Sequence, residues 1–349
     1  TLVSWVLVAS VQYRQPALCF GGDVMLRMVL FWGLFLPLGA RFSLDARREP
    51  SAVPRRNPHL SVATAALLLQ LCLVYWFSVL NRSGPTWWNG QALHDALHYD
   101  YFASRFGLLL REHEAWLPPM TLVAIWFEGL GPFLPFVPFG TAFFRTLSVV
   151  LFVGFHATLA LLFNIGLFPA VFSVTWLAFL PTELWEWLGS GARVAPTGPA
   201  ASPWDRRSPL RDSLAALAFA AVLASNVGTL RMDPHAHIHA EPPAWELPAR
   251  LLRLDQRWGL FGPDPPVHDG WYVMTGVLAD GREVNLLEPE RPAGFTKPPV
   301  VSETMNIRWR DYFFRLEFEA SDPRWLLYGD WLCRAWNERH AGPEKLDRA

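Results

Sequence analysis

Three ionisable residues lie inside long apolar stretches of the sequence. Glu128 stands midway along one stretch, and Arg145 and His156 lie in the next. A charge within a membrane-spanning helix is costly and needs either a partner or a function. If the two stretches form an antiparallel helical hairpin, Glu128 lies about one turn from His156, and Arg145 shares the His156 face. This arrangement predicts either a buried acid–base or proton-relay cluster or a structural ion pair that fixes helix packing.

Two further candidates lie at predicted outer helix ends. Asp23 and Arg27 are spaced i, i+4, which favours either a site or a pair that only neutralises itself. Arg82 directly follows an apolar stretch and precedes Trp87 and Trp88. Arg82 is interpreted either as a cation at an outward-facing site, with the two tryptophans binding substrate, or as an interfacial arginine beside an aromatic anchor.

Two groups of histidines have spacings that a metal ion could use. His94 and His98 have the i, i+4 spacing of a helical zinc pair, but no HExxH motif and no third ligand accompany them. We therefore predict no metal and assign both to substrate binding. A second group alternates in a Pro-flanked stretch that we interpret as a linker: His235, His237 and His239.

The composition is that of a membrane protein. Of the 349 residues, 52% are hydrophobic and 17% are charged, against about 25% charged in a typical soluble domain. Residues 1–230 hold only 27 of the 61 Asp, Glu, Lys and Arg residues. An apolar block is thus followed by a more polar tail, which excludes a single soluble domain and a disordered chain. The net charge of −1 gives no reason to expect a nucleic-acid partner.

About seven stretches are apolar enough to predict spans of a lipid bilayer. They lie at 1–12, 22–38, 60–80, 118–137, 143–164, 166–187 and 211–230. The first residue, Thr1, opens directly into an apolar run, so we expect the natural chain to continue upstream.

Arginine-rich loops predict the orientation, because basic loops remain in the cytoplasm. Such loops follow the second and sixth stretches, an even number of spans apart, so they share one side. They contain Arg41, Arg47, Arg48, Arg55 and Arg56, then Arg193, Arg206, Arg207 and Arg211. Segment 81–117 and the tail then face the periplasm of a bacterial inner membrane.

The remaining segments suggest a bundle domain at 1–230 and a small periplasmic α+β domain at 231–349. Within 81–117, apolar residues at helical spacing predict interfacial helices. In the tail we predict a helix over 245–258 and a hairpin turning at Ala279-Asp280-Gly281. A closing helix is predicted over 324–337, with Asp322 as its N-cap and Pro323 at its first position.

Five sequence segments together resemble the HTTM family, which is related to vitamin K-dependent gamma-carboxylase. They are GGDVMLRMVLFWGLFLPLGARFSLD (21–45), RSGPTWWNGQAL (82–93), FEGLGPFLPF (127–136), FHATLALLFNIGLFP (155–169) and QRWGLFGPDPP (256–266). The resemblance implies a multi-pass bundle with its working face on the exoplasmic side. It also implies a quinone of the vitamin K or menaquinone type as cofactor.

The same resemblance implies that the chemistry has changed. The carboxylases use a Lys base where Arg82 stands here, and a His where Asp23 aligns. Arginine is not deprotonated in proteins and cannot act as a general base. Arg82 can still stabilise an oxyanion such as a quinolate, and Asp23 can accept a proton.

Three functions remain open on the sequence. The favoured one is a membrane factor acting on a secreted peptide or protein client at the periplasmic face. The alternative is a quinone-dependent membrane enzyme with a remodelled site. A transporter ranks last, because no internal repeat is evident.

Overall fold

The computed structural model describes residues 1–39, 43–44, 48, 61–188, 208–230, 246–267, 269–317 and 323–348. Over these residues the fold is mostly helical. The helices are α1 (Leu2–Arg14), α2 (Gly21–Trp32), α3 (Val62–Asn81), α4 (Pro85–Trp88), α5 (Ala92–His98), α6 (Arg105–Arg111), α7 (Leu117–Leu130), α8 (Thr141–Leu162), α9 (Phe168–Trp176), α10 (Thr182–Leu188), α11 (Pro209–Thr229), α12 (Leu247–Leu251), α13 (Ile307–Glu317) and α14 (Arg324–Asn337).

Four helical segments are long and apolar enough to cross a bilayer. They are Val62–Asn81, Glu114–Phe136, Thr141–Leu162 and Pro209–Thr229. The other three predicted stretches form α1, α2 and α9, which have 13, 12 and 9 residues. A span of about 20 residues is needed, so seven spans stays a prediction for these three. The membrane character itself is supported by the four long helices.

The bundle core is built from aromatic rings. Trp32, Phe152, Phe172 and Trp176 are completely buried. Phe152 stacks on Trp176 with ring centroids 3.8 Å apart and planes within 9°. This packing joins α2, α8 and α9 into one core.

The predicted helical hairpin is present. Helices α7 and α8 are joined through a turn at Gly140, whose φ of +56° favours glycine. Phe127 packs on Phe152 at 4.5 Å, one residue from the predicted opposition of Glu128 and Phe152. Segment 81–117 forms α4, α5 and α6, as its helical spacing predicts.

The tail contains a three-stranded sheet of order β2-β1-β3, with β1 Thr275–Leu278, β2 Glu283–Asn285 and β3 Leu346–Arg348. The first two strands are the predicted hairpin, with Thr275 opposite Asn285. Gly281 holds a φ of +85° in its turn. The predicted closing helix is α14, while its proposed N-cap, Asp322, lies outside the described residues.

The predicted helix over 245–258 is wrong in length. Helix α12 covers only Leu247–Leu251, and Arg253 follows it with a φ of +55° that a continuing helix cannot contain. The buried apolar residues Leu254 and Trp258 come from the non-helical chain beyond it, while Leu251 is exposed. Leu254 and Trp258 therefore have the spacing of one helical face, but they do not lie on one helix and are buried separately.

The tail packs directly on the bundle. Leu254 and Trp258 belong to the same core as α2 and α3. Gln256 accepts a hydrogen bond of 2.6 Å from Gln70 of α3. On the other side, Arg310 of α13 donates to the carbonyl of Asn164 at 2.7 Å. The tail residues thus take part of their burial from the bundle.

Candidate functional site

A cavity of about 960 Å³ lies between α3, α5, α7, α8, α13 and residues 259–266. Its wall is predominantly apolar. The rings that line it are Phe20, Tyr75, Trp87, Tyr99, Phe102, Phe155, His156, Phe163, Phe168, Phe261 and Phe314. Four charged side chains also line it: Arg82, Glu128, Asp264 and Asp311. A large apolar cavity with a few polar groups is the usual form of a small-molecule site.

Arg82 is buried at the polar end of this cavity. It follows the last residue of α3, and its side chain is only 5% exposed. Its Nη1 donates to Oε1 of Glu128 at 2.8 Å, and its Nε donates to the carbonyl of Leu260 at 3.1 Å. The guanidinium lies 3.9 Å above the ring of Trp87. Arg82 is therefore held by a charge, a backbone carbonyl and a cation–π contact, which is more than an interfacial anchor needs.

Glu128, the partner of Arg82, lies on α7. Its side chain is 6% exposed, so both charges are almost fully withdrawn from water. Its second oxygen, Oε2, makes no hydrogen bond to the residues that the structure describes, and it keeps accessible surface. The pair thus presents an acceptor beside a donor at one end of an apolar cavity.

His156 lies in the same wall but not against Glu128. The Tyr75 hydroxyl and His156 Nε2 are 2.6 Å apart, and the indole of Trp176 donates to that hydroxyl at 2.7 Å. The predicted Glu128–His156 contact is replaced by two separate pairs. A permanent guanidinium is a stronger partner for a carboxylate than an imidazole that need not be charged.

The tail segment 259–266 closes the site over the chain that follows α3. The Gly84 amide donates to the Pro263 carbonyl at 3.1 Å, and the Thr86 amide donates to Asp264 at 3.0 Å. A side chain on Gly84 would place its Cβ 2.0 Å from the Asp264 carboxylate. Glycine is therefore required here by the close approach of this segment.

The two tryptophans have different environments. Trp87 is buried in the cavity wall and donates to the Phe261 carbonyl at 3.0 Å. Trp88 is half exposed, lies outside the wall, and donates to the Arg82 carbonyl at 3.0 Å. Only Trp87 is in position to contact a molecule in the cavity.

Asp23 is not brought to Arg82. Its carboxylate accepts from Arg308 of α13 at 2.5 and 2.7 Å, and from the Phe20 amide at 3.1 Å. The i, i+4 pair with Arg27 is likewise replaced, since Arg27 donates to Gln12 at 2.8 Å and lies 3.8 Å from a carboxylate oxygen of Asp255. Asp23 thus ties a tail helix to α2 beside the cavity.

Arg145, His94 and His98 also lie outside the cavity wall. Arg145 makes a long hydrogen bond of 3.4 Å to the Pro135 carbonyl, so it does not join Glu128. The His94 and His98 rings stack at 4.0 Å. The described part of the chain contains no group of three or more His, Cys, Asp or Glu residues that could hold a metal ion. The alternating histidines at 235–239 lie outside it.

A second charged cluster joins the tail to segment 81–117. Asp100 is buried, accepts from Arg111 at 2.7 Å and pairs with Lys297. Burial, with Asp100 nearby, raises the pKa of Asp269 above its ordinary value. Burial also raises the pKa of Tyr101. This cluster fixes the docking of the tail and lies outside the cavity wall.

Sequence reasoning missed the tail's side chains in the site. Asp264 and Leu260 lie in QRWGLFGPDPP, one of the segments that resemble the HTTM family, to which the sequence alone assigns no role. Asp311 and Arg308 lie on α13, which was not predicted. The alternating charge and aromatic residues of IRWRDYFFRLE were the available signal for that helix.

The comparisons with known proteins agree with the resemblance. The family model of the HTTM domain matches residues 24–185, which include Arg82, Glu128 and His156. No curated protein and no solved structure matches the chain. The relation to gamma-carboxylase is consistent with this match. Residues 24–185 thus match an HTTM domain, and the four helices that are long and apolar enough to cross a bilayer are those of a membrane protein.

Proposed function

We propose that this protein binds a lipid-soluble ring compound of the quinone class in the cavity between the bundle and the tail. The observation that carries the proposal is the buried Arg82–Glu128 pair at one end of an apolar cavity. The proposal favours the quinone-dependent alternative over the peptide-maturation factor that the sequence placed first.

The residues of the cavity suit such a ligand in size and chemistry. Pockets of about 300–1,000 Å³ bury most of a drug-sized ligand, and this cavity is at the upper end of that range. Aromatic rings offer flat surfaces for a ring system. Arg82 offers N–H donors for a ring oxygen, and Trp87 holds the guanidinium in place.

Arg82 and Glu128 divide two roles between them. Arg82 keeps its charge at all relevant pH values, so it stabilises negative charge on a ligand oxygen and does not remove a proton. Glu128 Oε2 is the accessible acceptor next to it, in the position where a ligand hydroxyl proton would be received. A bound quinone would supply two-electron redox chemistry, which the residues here do not. We infer that the protein is not a true gamma-carboxylase, because Arg82 stands where a Lys base is expected.

The test is quinone retention by the purified full chain. We expect menaquinone or ubiquinone to co-purify in mild detergent at near one per chain, measured by mass spectrometry. Arg82→Ala should lose it. Arg145→Ala is the matched control, since it removes an arginine outside the cavity. Absence of quinone from the intact chain, or equal loss in both variants, would overturn the proposal.

A peptide or protein client is the second candidate, and one observation favours it. On α14, Leu326, Leu327 and Trp331 are 75%, 63% and 45% exposed. Large exposed apolar side chains on one helix are typical of a protein-binding surface. A photo-crosslinking residue at 326 should capture a specific polypeptide in cells, and one at the polar position Glu290 should not. Identical capture at both positions would remove this candidate.

For location we propose the bacterial inner membrane, with the tail in the periplasm. The proposal is supported by the arginine-rich loops, most of whose residues lie outside the described part of the chain. In a chain whose native Cys19, Cys72 and Cys333 are replaced by Ser, a membrane-impermeant maleimide should label Glu290→Cys in spheroplasts and should not label Ala52→Cys until the membrane is broken. The reverse pattern would invert the topology.

A further inference from the structure

The cavity wall contains two buried polar groups that have no hydrogen-bond partner in the part of the chain that the structure describes. Ser78 Oγ and His156 Nδ1 are both withdrawn from water, and neither has a hydrogen-bond partner among the described residues. His156 as a whole is 1% exposed. An unpartnered buried polar group costs about 1–3 kcal/mol, so its presence asks for an explanation.

The hydrogen-bond chain fixes where the His156 protons lie. The indole of Trp176 can only donate, so the Tyr75 oxygen accepts its hydrogen. The Tyr75 hydrogen has no other acceptor among the described residues, so with a neutral imidazole the arrangement that satisfies it has Tyr75 donating to Nε2, which leaves the imidazole hydrogen on Nδ1. When the imidazole is protonated, both nitrogens carry hydrogen. In either state Nδ1 is a donor without an acceptor.

Tyr75, which bonds to His156, lies at a different position along the cavity from Arg82. Tyr75 and Ser78 line the cavity from one face of α3, with spacing i, i+3, and Arg82 lines it from the residue that follows the end of α3. At about 1.5 Å per residue, Tyr75 and Arg82 are separated by about 10 Å along α3. The cavity therefore has one polar pole at Arg82–Glu128 and a second at Tyr75–His156.

We propose that His156 Nδ1–H binds a second oxygen of the ligand, so that the cavity selects a ring with oxygens on opposite edges. This inference rests on the proposed function and adds a selectivity to it. The imidazole lies among the rings of Phe155, Phe168 and Phe172 at 5.5, 5.7 and 5.1 Å. An oxygen acceptor that reaches Nδ1 in this apolar surround makes a hydrogen bond that is stronger than the same bond in water. His156 lines the cavity, and Nδ1 is its ring nitrogen without a partner among the described residues, so Nδ1 is the atom left for a ligand oxygen.

The test compares two probes on the detergent-solubilised full chain. They are 2,3-dimethyl-1,4-naphthoquinone, with two opposed carbonyls, and 2,3-dimethyl-1-tetralone, with one. The methyl groups block alkylation of cysteine. We expect the intact protein to prefer the dicarbonyl about tenfold, the equivalent of one hydrogen bond. In His156→Gln, whose amide replaces Nε2 but not Nδ1, that preference should disappear.

The matched variant is His156→Asn, whose amide nitrogen replaces the Nδ1 donor, and it should keep part of the preference. A role in packing alone would weaken both probes equally in His156→Gln and leave their ratio unchanged. That result would overturn the inference and leave the proposed function standing. Failure of both probes to bind the intact chain would instead overturn the proposed function, and the inference with it.

If His156→Gln does not fold, Tyr75→Phe provides the same readout. It keeps the ring and removes only the hydroxyl that holds Nε2 as an acceptor. The Nδ1 hydrogen is then no longer enforced, so the preference should fall. An unchanged ratio in Tyr75→Phe would overturn the inference.

Discussion

Removing Glu128 alone should be far more damaging than removing the whole Arg82–Glu128 pair. At 2.8 Å and an effective dielectric constant of about 20, the Coulomb attraction is about 6 kcal/mol. Both side chains are 5–6% exposed, so desolvation offsets much of that attraction. Glu128→Ala leaves a buried guanidinium without a counter-charge and should cost about 3–5 kcal/mol of unfolding free energy.

The double variant Arg82→Met/Glu128→Leu removes both charges and keeps apolar volume. Replacing a buried ion pair by well-packed apolar residues is often neutral or stabilising, so most of the lost stability should return. Quinone binding should not return, because the donor and the acceptor are both gone. Stability and binding are thereby separated in one experiment.

The assay is reversible unfolding in mixed micelles followed by helical circular dichroism, with quinone retention measured on the same samples. A Glu128→Ala variant as stable as the parent would refute the buried pair. A double variant that still retained quinone would refute Arg82 and Glu128 as the binding groups.

Three further changes test other parts of the structure. Asp23→Asn should weaken the bond to Arg308 by about 1–3 kcal/mol and raise hydrogen exchange in α13. Unchanged exchange would contradict the role of Asp23 in holding α13 against α2. Burial raises the pKa of Asp269 above its ordinary value of 3.8. The protonated carboxyl group therefore stabilises the folded state below pH 3.8, and this contribution is lost as the pH rises through the raised pKa. The melting temperature of Asp269→Asn should thus match the parent at pH 3.5 and exceed it at pH 7, and a gain at pH 3.5 instead would refute the sign. Gly84→Ala should displace Asp264 and weaken quinone retention without lowering helix content. Normal retention would show that segment 259–266 can move aside without loss of the site.

The long apolar helices followed from composition, because about 20 consecutive apolar residues have few other uses. Hydropathy does not report where a helix ends. A 3₁₀ turn at Gly33–Phe35 ends α2, and a second 3₁₀ turn at Leu177–Phe179 ends α9, so both helices are shorter than their apolar stretches. Within the predicted helix over 245–258 only Leu247–Leu251 is helical, although Leu254 and Trp258 beyond it are buried.

The site was only half accessible from the sequence. Arg82, Glu128 and His156 were found as ionisable groups in apolar surroundings, which is a local signal. Their partners are not local. Arg82 binds Glu128 across 46 residues, and Asp23 binds Arg308 across 285. Such pairings depend on how helices pack, which a single sequence does not contain.

The segment at 259–266 sets an order of events during biosynthesis. Arg82 leaves the ribosome and enters the membrane long before Leu260, 178 residues later, has been made. Until then the cavity lacks one wall, and Arg82 and Trp87 lack their backbone acceptors. The proposed site is complete only after residues 259–266 have been made and have packed against the chain at Arg82 and Trp87. A chain truncated before residue 259 should therefore keep its apolar helices and retain no quinone.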